Sequence, residues 1–300
     1  MSTPDMTRLV VSKSPAVRGA TAYLFLAFGM AWIPWSIAWL GGVTPANLVG
    51  FQLALLPGVF APAASAWIVR KWITHEGFVD AGLTVRLSYW RYYLFALLSP
   101  LIVALVIVAL AVGLGVSEPD FSLQRALRAL SLDVGPAFSA ASWFWLALPL
   151  GLLGQSILVT PLLWGEEFGW RGYLQVRLFA RRPLLAAVTT GLIWGVWHYP
   201  VILMGYQYPD HPVLGLLTFP VTTIFLSIIF GWLRLKTGSV WSASLAHAAT
   251  NAAGGSLIVL LFWGGPNWIL VAYVGVLGWV PLAALCAWIL LTGRLQLREP

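Results

Sequence analysis

Apolar stretches of about 20 residues recur along the chain, separated by shorter polar connections. That is the length a helix needs to cross a hydrocarbon core of ~30 Å. Eight spans are predicted, at Thr21–Leu40, Asn47–Val69, Tyr92–Val116, Trp143–Trp164, Leu184–Met204, Val213–Leu233, Val240–Trp263 and Trp268–Thr292. No internal repeat, low-complexity segment or connection large enough for a soluble domain interrupts them. Residues 1–300 are therefore expected to form one all-α, polytopic membrane helix bundle. The apolar segment after the polar N-terminus is too long for a signal-peptide core and lacks a clear A-x-A site, so it is expected to remain as the first span.

Composition agrees with the pattern. Hydrophobic residues make up 60% and charged residues 9%, against roughly 25% charged in soluble domains. Eighteen tryptophans suit the two membrane interfaces, where indoles collect. The net charge of +7 does not point to nucleic acid, because the basic residues sit at the ends of apolar segments. With the N-terminus placed inside, the inner segments hold Arg8, Lys13, Arg18, Arg70, Lys71, Arg86, Arg91, Arg171, Arg177, Arg181, Arg182, Arg234, Lys236, Arg294 and Arg298, and the outer ones only Arg125 and Arg128. This bias predicts cytoplasmic N- and C-termini, and the composition suggests a bacterial plasma membrane. The single cysteine, Cys286, excludes an intramolecular disulfide and a multi-cysteine metal site. "FSLQRALRAL", within the outer connection Ser117–Ser142, is amphipathic and suits the membrane surface. The connection Thr74–Tyr89, with His75, Glu76 and Asp80, reads as a solvated loop, and His211 as an outer-loop turn residue.

Four ionisable residues do not belong to termini or connections. Glu166 and Glu167 stand in "GEEFGWRGYL", His198 in the fifth span and His247 in the seventh. Ionisable groups at membrane depth are costly, face the bundle interior and mark function. On a helix, Glu167 and Arg171 are i,i+4 and pair, while Glu166 points about 100° away. Trp194 and His198 are i,i+4, as are His247 and Asn251, the latter pair flanked by alanines that admit close approach. Each piece alone has an ordinary explanation: an interfacial acidic pair, a packing histidine, an interhelical asparagine. Together, on three spans, they supply a base, imidazoles and oxyanion donors. Glu166 and His198 meet only if the fourth helix continues past Gly165, so it is predicted to reach about Phe179, with Pro161 as a kink site.

In order along the chain, E-E-x-x-x-R (Glu166, Glu167, Arg171), an aromatic-x-x-x-H (Trp194, His198) and H-x-x-x-N (His247, Asn251) resemble the motifs of the CPBP family of intramembrane endopeptidases, the CAAX protease and bacteriocin-processing enzymes. The resemblance covers about residues 143–263; Trp194 stands where the family commonly has Phe, a change assigned to packing. It implies an eight-helix bundle with a cavity open to the cytoplasm, and an endopeptidase acting near that face. By similarity Glu166 activates a water assisted by His198, and His247 and Asn251 stabilise the oxyanion. Glu167 and Arg171 support the site. The substrate implied is a membrane-associated peptide or protein, with or without a lipid, and no cofactor is expected. A zinc ion on Glu166, His198 and His247 is the alternative, although no H-E-x-x-H helix is present. A transporter or a silent scaffold built from the same cluster are the other two readings.

Overall fold

The computed structural model describes residues 15–129, 142–179, 181–265 and 267–296. Arg8, Lys13, Arg298 and the end of the amphipathic "FSLQRALRAL" segment lie outside them. The described residues are helical with no strand. The main helices are α1 (Pro15–Leu40), α2 (Leu48–Ile68), α3 (Trp90–Gly113), α4 (Ser142–Gly169), α5 (Pro183–Trp197), α6 (Pro212–Thr237), α7 (Val240–Ala252) and α8 (Val276–Leu291). Among the described residues, seven helical stretches are long and apolar enough to cross a membrane. Phe25, Leu40, Leu158 and Leu291 project from the bundle, the surface a lipid tail would cover.

The predicted fifth span is not one helix. α5 is shorter than a membrane crossing and stops at His198, after which a short helix, Tyr199–Leu203, begins. Pro200 explains the break: it has no N–H to carry the ladder of α5 onward, and it suits the first turn of a new helix, where it sits. The eighth span is likewise divided, into Trp268–Val271 and α8.

The fourth helix does continue past Gly165. α4 passes into a π-helical turn, Trp170–Leu174, and a last helical turn, Gln175–Arg177, before Leu178 turns extended. The 34 residues from Phe144 to Arg177 rise about 51 Å, more than a hydrocarbon core, so one end projects beyond it or the helix tilts. α7 is the most buried of the long stretches. Its serines and alanines, Ser242, Ala243, Ser244, Ala246, Ala248 and Ala249 among them, are all buried. Such small side chains let α3, α4 and α6 approach it.

The connection Thr74–Tyr89, read as a solvated loop, is instead tied across one end of the bundle. The fully buried Arg70 donates to Asp80 at 2.7 Å and to the Gly172 carbonyl at 3.0 Å, and also to the Gly77 carbonyl. Arg177 pairs with Glu76 and, at 3.1 Å, with Asp80. Arg234 donates to the Asp80 carbonyl at 2.6 Å, and Val240 N–H to Gly82 at 2.8 Å. This strap draws together basic residues from the turns that continue α2 and α4 and from α6 at one end of the bundle.

Candidate active site

Two close helix contacts set the position of the acidic pair. At Gly165 a Cβ would lie 2.7 Å from the Val59 carbonyl oxygen, and at Gly169 one would lie 2.5 Å from the Tyr23 hydroxyl. α4 therefore lies directly against the backbone of α2, and the Tyr23 side chain from α1 reaches in over Gly169. Glu166 and Glu167 are consequently buried, with Trp164 and Phe168 on another face of the same turns.

Glu167 is the more enclosed of the two. Its Oε1 accepts from Arg171 Nη1 at 3.0 Å and lies 2.9 Å from His247 Nδ1. Both Glu167 and Arg171 are fully buried, so the pair is shielded from bulk solvent. Arg171 also stacks on Trp194, 4.6 Å from the ring centre, and on Phe230 at 5.2 Å. Glu166 is held differently. Its Oε2 accepts from the Trp194 indole N–H at 2.9 Å, and its Oε1 makes no hydrogen bond among the described residues.

Trp194 is the hub of the arrangement. Its ring centre lies 5.1 Å from that of His247 and 5.7 Å from that of His198. Its carbonyl lies 2.9 Å from His198 Nδ1. Since a carbonyl only accepts, His198 carries its proton on Nδ1 and leaves Nε2 as an acceptor. By the same reasoning His247 donates through Nδ1 to Glu167, and its Nε2 is unengaged among the described residues.

The structure thus brings Glu166, Glu167, Arg171, Trp194, His198 and His247 into one network. Asn251 is not in it: one turn beyond His247, it is exposed and makes no hydrogen bond among the described residues. Sequence reasoning assigned Trp194 to packing, and its hydrogen bond to Glu166 went unseen. Phe230 and Phe219 were also missed. Phe230 lies against Arg171 and His247, and Phe219 lies 4.7 Å from His198 between ring centres. No period or motif distinguished either from core. Among the described residues no three His, Cys, Asp or Glu side chains are grouped to hold a metal ion. The indole of Trp194 stands among Glu166, His198 and His247, so this set does not fit zinc as arranged.

Residues 141–253 match the family model of type II CAAX prenyl endopeptidases, Rce1-like. The chain carries a CAAX endopeptidase domain. No curated protein matches it. The CAAX endopeptidase segment runs from the start of α4 to the end of α7 and contains every residue of the network. Its family is one of hydrolases, and with its apolar helices the chain is an integral membrane protein. The remaining helices pack around this segment. α2 and α4 also border an apolar groove of about 440 Å³, lined by Ala63, Ala64, Trp67, Phe78, Leu83, Trp164 and Phe168.

Proposed function

We propose that the chain is an intramembrane endopeptidase in which Glu166 is the general base. One observation carries this reading: Glu166 Oε2 is fixed by the Trp194 indole at 2.9 Å while its other oxygen is left for a water. Glu166 takes a proton from that water and the hydroxide adds to the peptide carbonyl carbon. The oxyanion formed is met by the Asn251 carboxamide N–H and by His247, whose imidazolium form, with Nδ1–H on Glu167, donates through Nε2. Asn251 is exposed one turn from His247, so a substrate approaching from outside the network reaches it. The C–N bond then breaks as the amine takes the proton back from Glu166, and the acceptor nitrogen of His198 serves the earlier step by orienting the attacking water through the O–H that Glu166 does not take. The basic end of the bundle faces the cytoplasm, and the apolar groove beside α4 accommodates the hydrocarbon chain of a lipidated substrate. No step requires a metal.

The test is cleavage of quenched fluorescent peptides, prenylated and not, by purified protein. Glu166→Gln and His247→Ala are run beside the unaltered chain, with and without chelator. The expected result is loss of cleavage in both variants and none with chelator. Cleavage that survives Glu166→Gln would overturn the assignment, and loss to chelator restored by zinc would replace it with a metal mechanism.

A further inference from the structure

α4 and α7 run side by side and meet at two polar rungs. The first is the contact of Glu167 with His247 at 2.9 Å. The second lies further from the strap, where the Ser256 hydroxyl donates to Gln155 Oε1 at 3.2 Å. Asn251 stands between the rungs on one continuous helical stretch, Val240–Phe262. Gln155 and Asn251 are exposed and Ser256 is partly exposed. Gln155 precedes Glu166 by 11 residues, which is three helical turns plus about 20°. Both side chains therefore leave the same face of α4, about 17 Å apart along it. Ser256 owes its place to an irregularity. In a regular α-helix it would stand about 140° round from Asn251. The π-turn Ala253–Ile258 rotates less per residue and swings Ser256 back towards the Asn251 side.

The surface from Asn251 to the second rung is polar, uncharged and open. Between Ser142 and Gly165 α4 carries no ionisable residue, and between Val240 and Phe262 the only one is His247. Asn251 makes no hydrogen bond among the described residues. Gln155 is bonded there to Ser256 through its oxygen, which leaves both of its amide N–H groups as donors. At Gly255, next to Ser256 and four residues after Asn251, a Cβ would meet nothing within 4 Å, so an approaching backbone is held off by no side chain. With no charge on the strip, neither an anion nor a cation finds a counter-charge. What the strip offers is alternating neutral donors and acceptors. An extended peptide presents one N–H and one C=O per residue, and inside a membrane protein each needs a partner.

We propose that Gln155, Ser256 and the open backbone at Gly255 form, with Asn251, a docking strip for the extended main chain of the substrate on one side of the cleaved bond. The occupant follows from the proposed function, since the strip is continuous with Asn251 and shares a helix face with Glu166. At about 3.3 Å per residue, the ~17 Å between Glu166 and Gln155 is spanned by about five residues. The strip therefore gauges length. A peptide reaching that far past the cleaved bond engages Gln155 and Ser256, and a shorter one does not. Neither residue touches a reacting atom, so both act on which substrate is held rather than on the chemical step. Ser256 lies beyond the matched segment 141–253.

The test is a ladder of uncharged peptides, lengthened one residue at a time on either side of the cleaved bond and given to the purified full chain. KM is expected to fall about 10-fold, the scale of one or two neutral hydrogen bonds, once about five residues extend on one side, with kcat nearly constant. Gln155→Ala is expected to lose that step and Ser256→Ala to reduce it, while both match the unaltered chain on the shorter peptides. A step that persists in Gln155→Ala, or a KM raised equally at every length, would overturn the strip and leave the endopeptidase reading intact. Binding of the same ladder, fluorescently labelled, to Glu166→Gln separates the two readings without cleavage. Tighter binding of the long peptides, abolished when Gln155→Ala is added, would uphold the strip even if the unaltered chain cleaves nothing. Binding that does not depend on length would overturn it. A dimer of the unaltered chain that dissociates in Gln155→Ala would assign the seam to a second copy of the chain and likewise overturn peptide docking.

Discussion

At the scale of single residues, the two adjacent glutamates do different work because their partners differ. Glu167 is clamped between Arg171 and His247, while Glu166 has one oxygen held and one free. Glu166→Gln is therefore expected to abolish turnover, by at least ~10²-fold as for loss of a general base, with the thermal midpoint unchanged. Glu167→Gln should reverse that balance in a melting experiment. It leaves the buried Arg171 uncompensated, a loss of about 3–5 kcal/mol, and turnover falls as a consequence of the disordered site. Equal effects of the two substitutions on melting would contradict this division. Trp194→Phe is a finer probe. It keeps the ring under Arg171 but deletes the N–H that holds Glu166. A hydrogen bond to a charged group contributes about 1.5–3 kcal/mol, so kcat is expected to fall by roughly 10- to 100-fold with KM nearly constant. A full rate would return Trp194 to the packing role its sequence position suggested. The i,i+4 pairs were legible in the sequence because helical spacing is local. The Trp194–Glu166 bond was not, because it joins residues 28 apart on different helices and leaves no periodic trace. Asn251 shows the limit of the spacing argument itself. Four residues advance a helix by 400°, so the second residue is offset by about 40° from the first. That offset accompanies the change from the buried His247 to the exposed Asn251.

At the scale of elements, length and apolarity located the spans, and the need for Glu166 to reach His198 located the true end of the fourth helix. What escaped was irregularity. The break at His198 had a signal in Pro200, which is weighed easily only once the helix is known to be short. The π-turns at Val69–Ile73, Trp170–Leu174 and Ala253–Ile258 had none. A π-turn inserts one residue without altering composition, and it is selected by what packs against it. Two of the three are continuous with the helices that carry Glu166, Glu167 and His247. Contact between α4 and its neighbours is set by glycines, which makes it easy to disturb. Gly169→Ala introduces a Cβ 2.5 Å from the Tyr23 hydroxyl and 2.6 Å from the Pro62 carbonyl carbon. Because backbone rather than a flexible tip is in the way, α4 must move off α2. Overpacking of this kind costs about 1–3 kcal/mol, seen as a lower thermal midpoint in detergent. An unchanged midpoint would mean that the helices are less closely apposed than the structure places them.

At the scale of the whole molecule, the CAAX endopeptidase segment 141–253 holds the network, but its end is closed by the strap between α2 and α3. A charged connection of this kind cannot be told from a solvated loop in sequence, because its partners Arg177 and Arg234 lie about 100 and 150 residues further on. Its carboxylates report on its closure. For Glu76, burial pushes the pKa up, but hydrogen bonds from Arg177 and Thr74 and the charges of Arg177 and Arg70 outweigh it and hold it below the ordinary 4.5. For Asp80, burial again acts upward, and the Arg70 hydrogen bond with the charges of Arg177 and Arg70 holds it below 3.8. A carboxyl with a depressed folded-state pKa stabilises fully above its unfolded value and loses that contribution as pH falls through the folded one. The thermal midpoint is therefore expected to be insensitive to the strap from pH 7 to about 5, and to fall below about 4.5 as Glu76 and Asp80 are protonated. Other acidic groups titrate in the same range, so the decisive quantity is the difference from Asp80→Asn. At pH 7 this variant should melt lower by about 1–2 kcal/mol in stability. That is less than for a fully buried pair, because Asp80 is half exposed. As pH falls through the lowered pKa of Asp80 the two proteins should converge, since the unaltered Asp80 is then neutral as well. Parallel curves at a constant separation would show that the Asp80 charge contributes nothing and that the strap is held by its other contacts, Glu76 with Arg177 and the backbone bonds to Arg70, Arg234 and Val240.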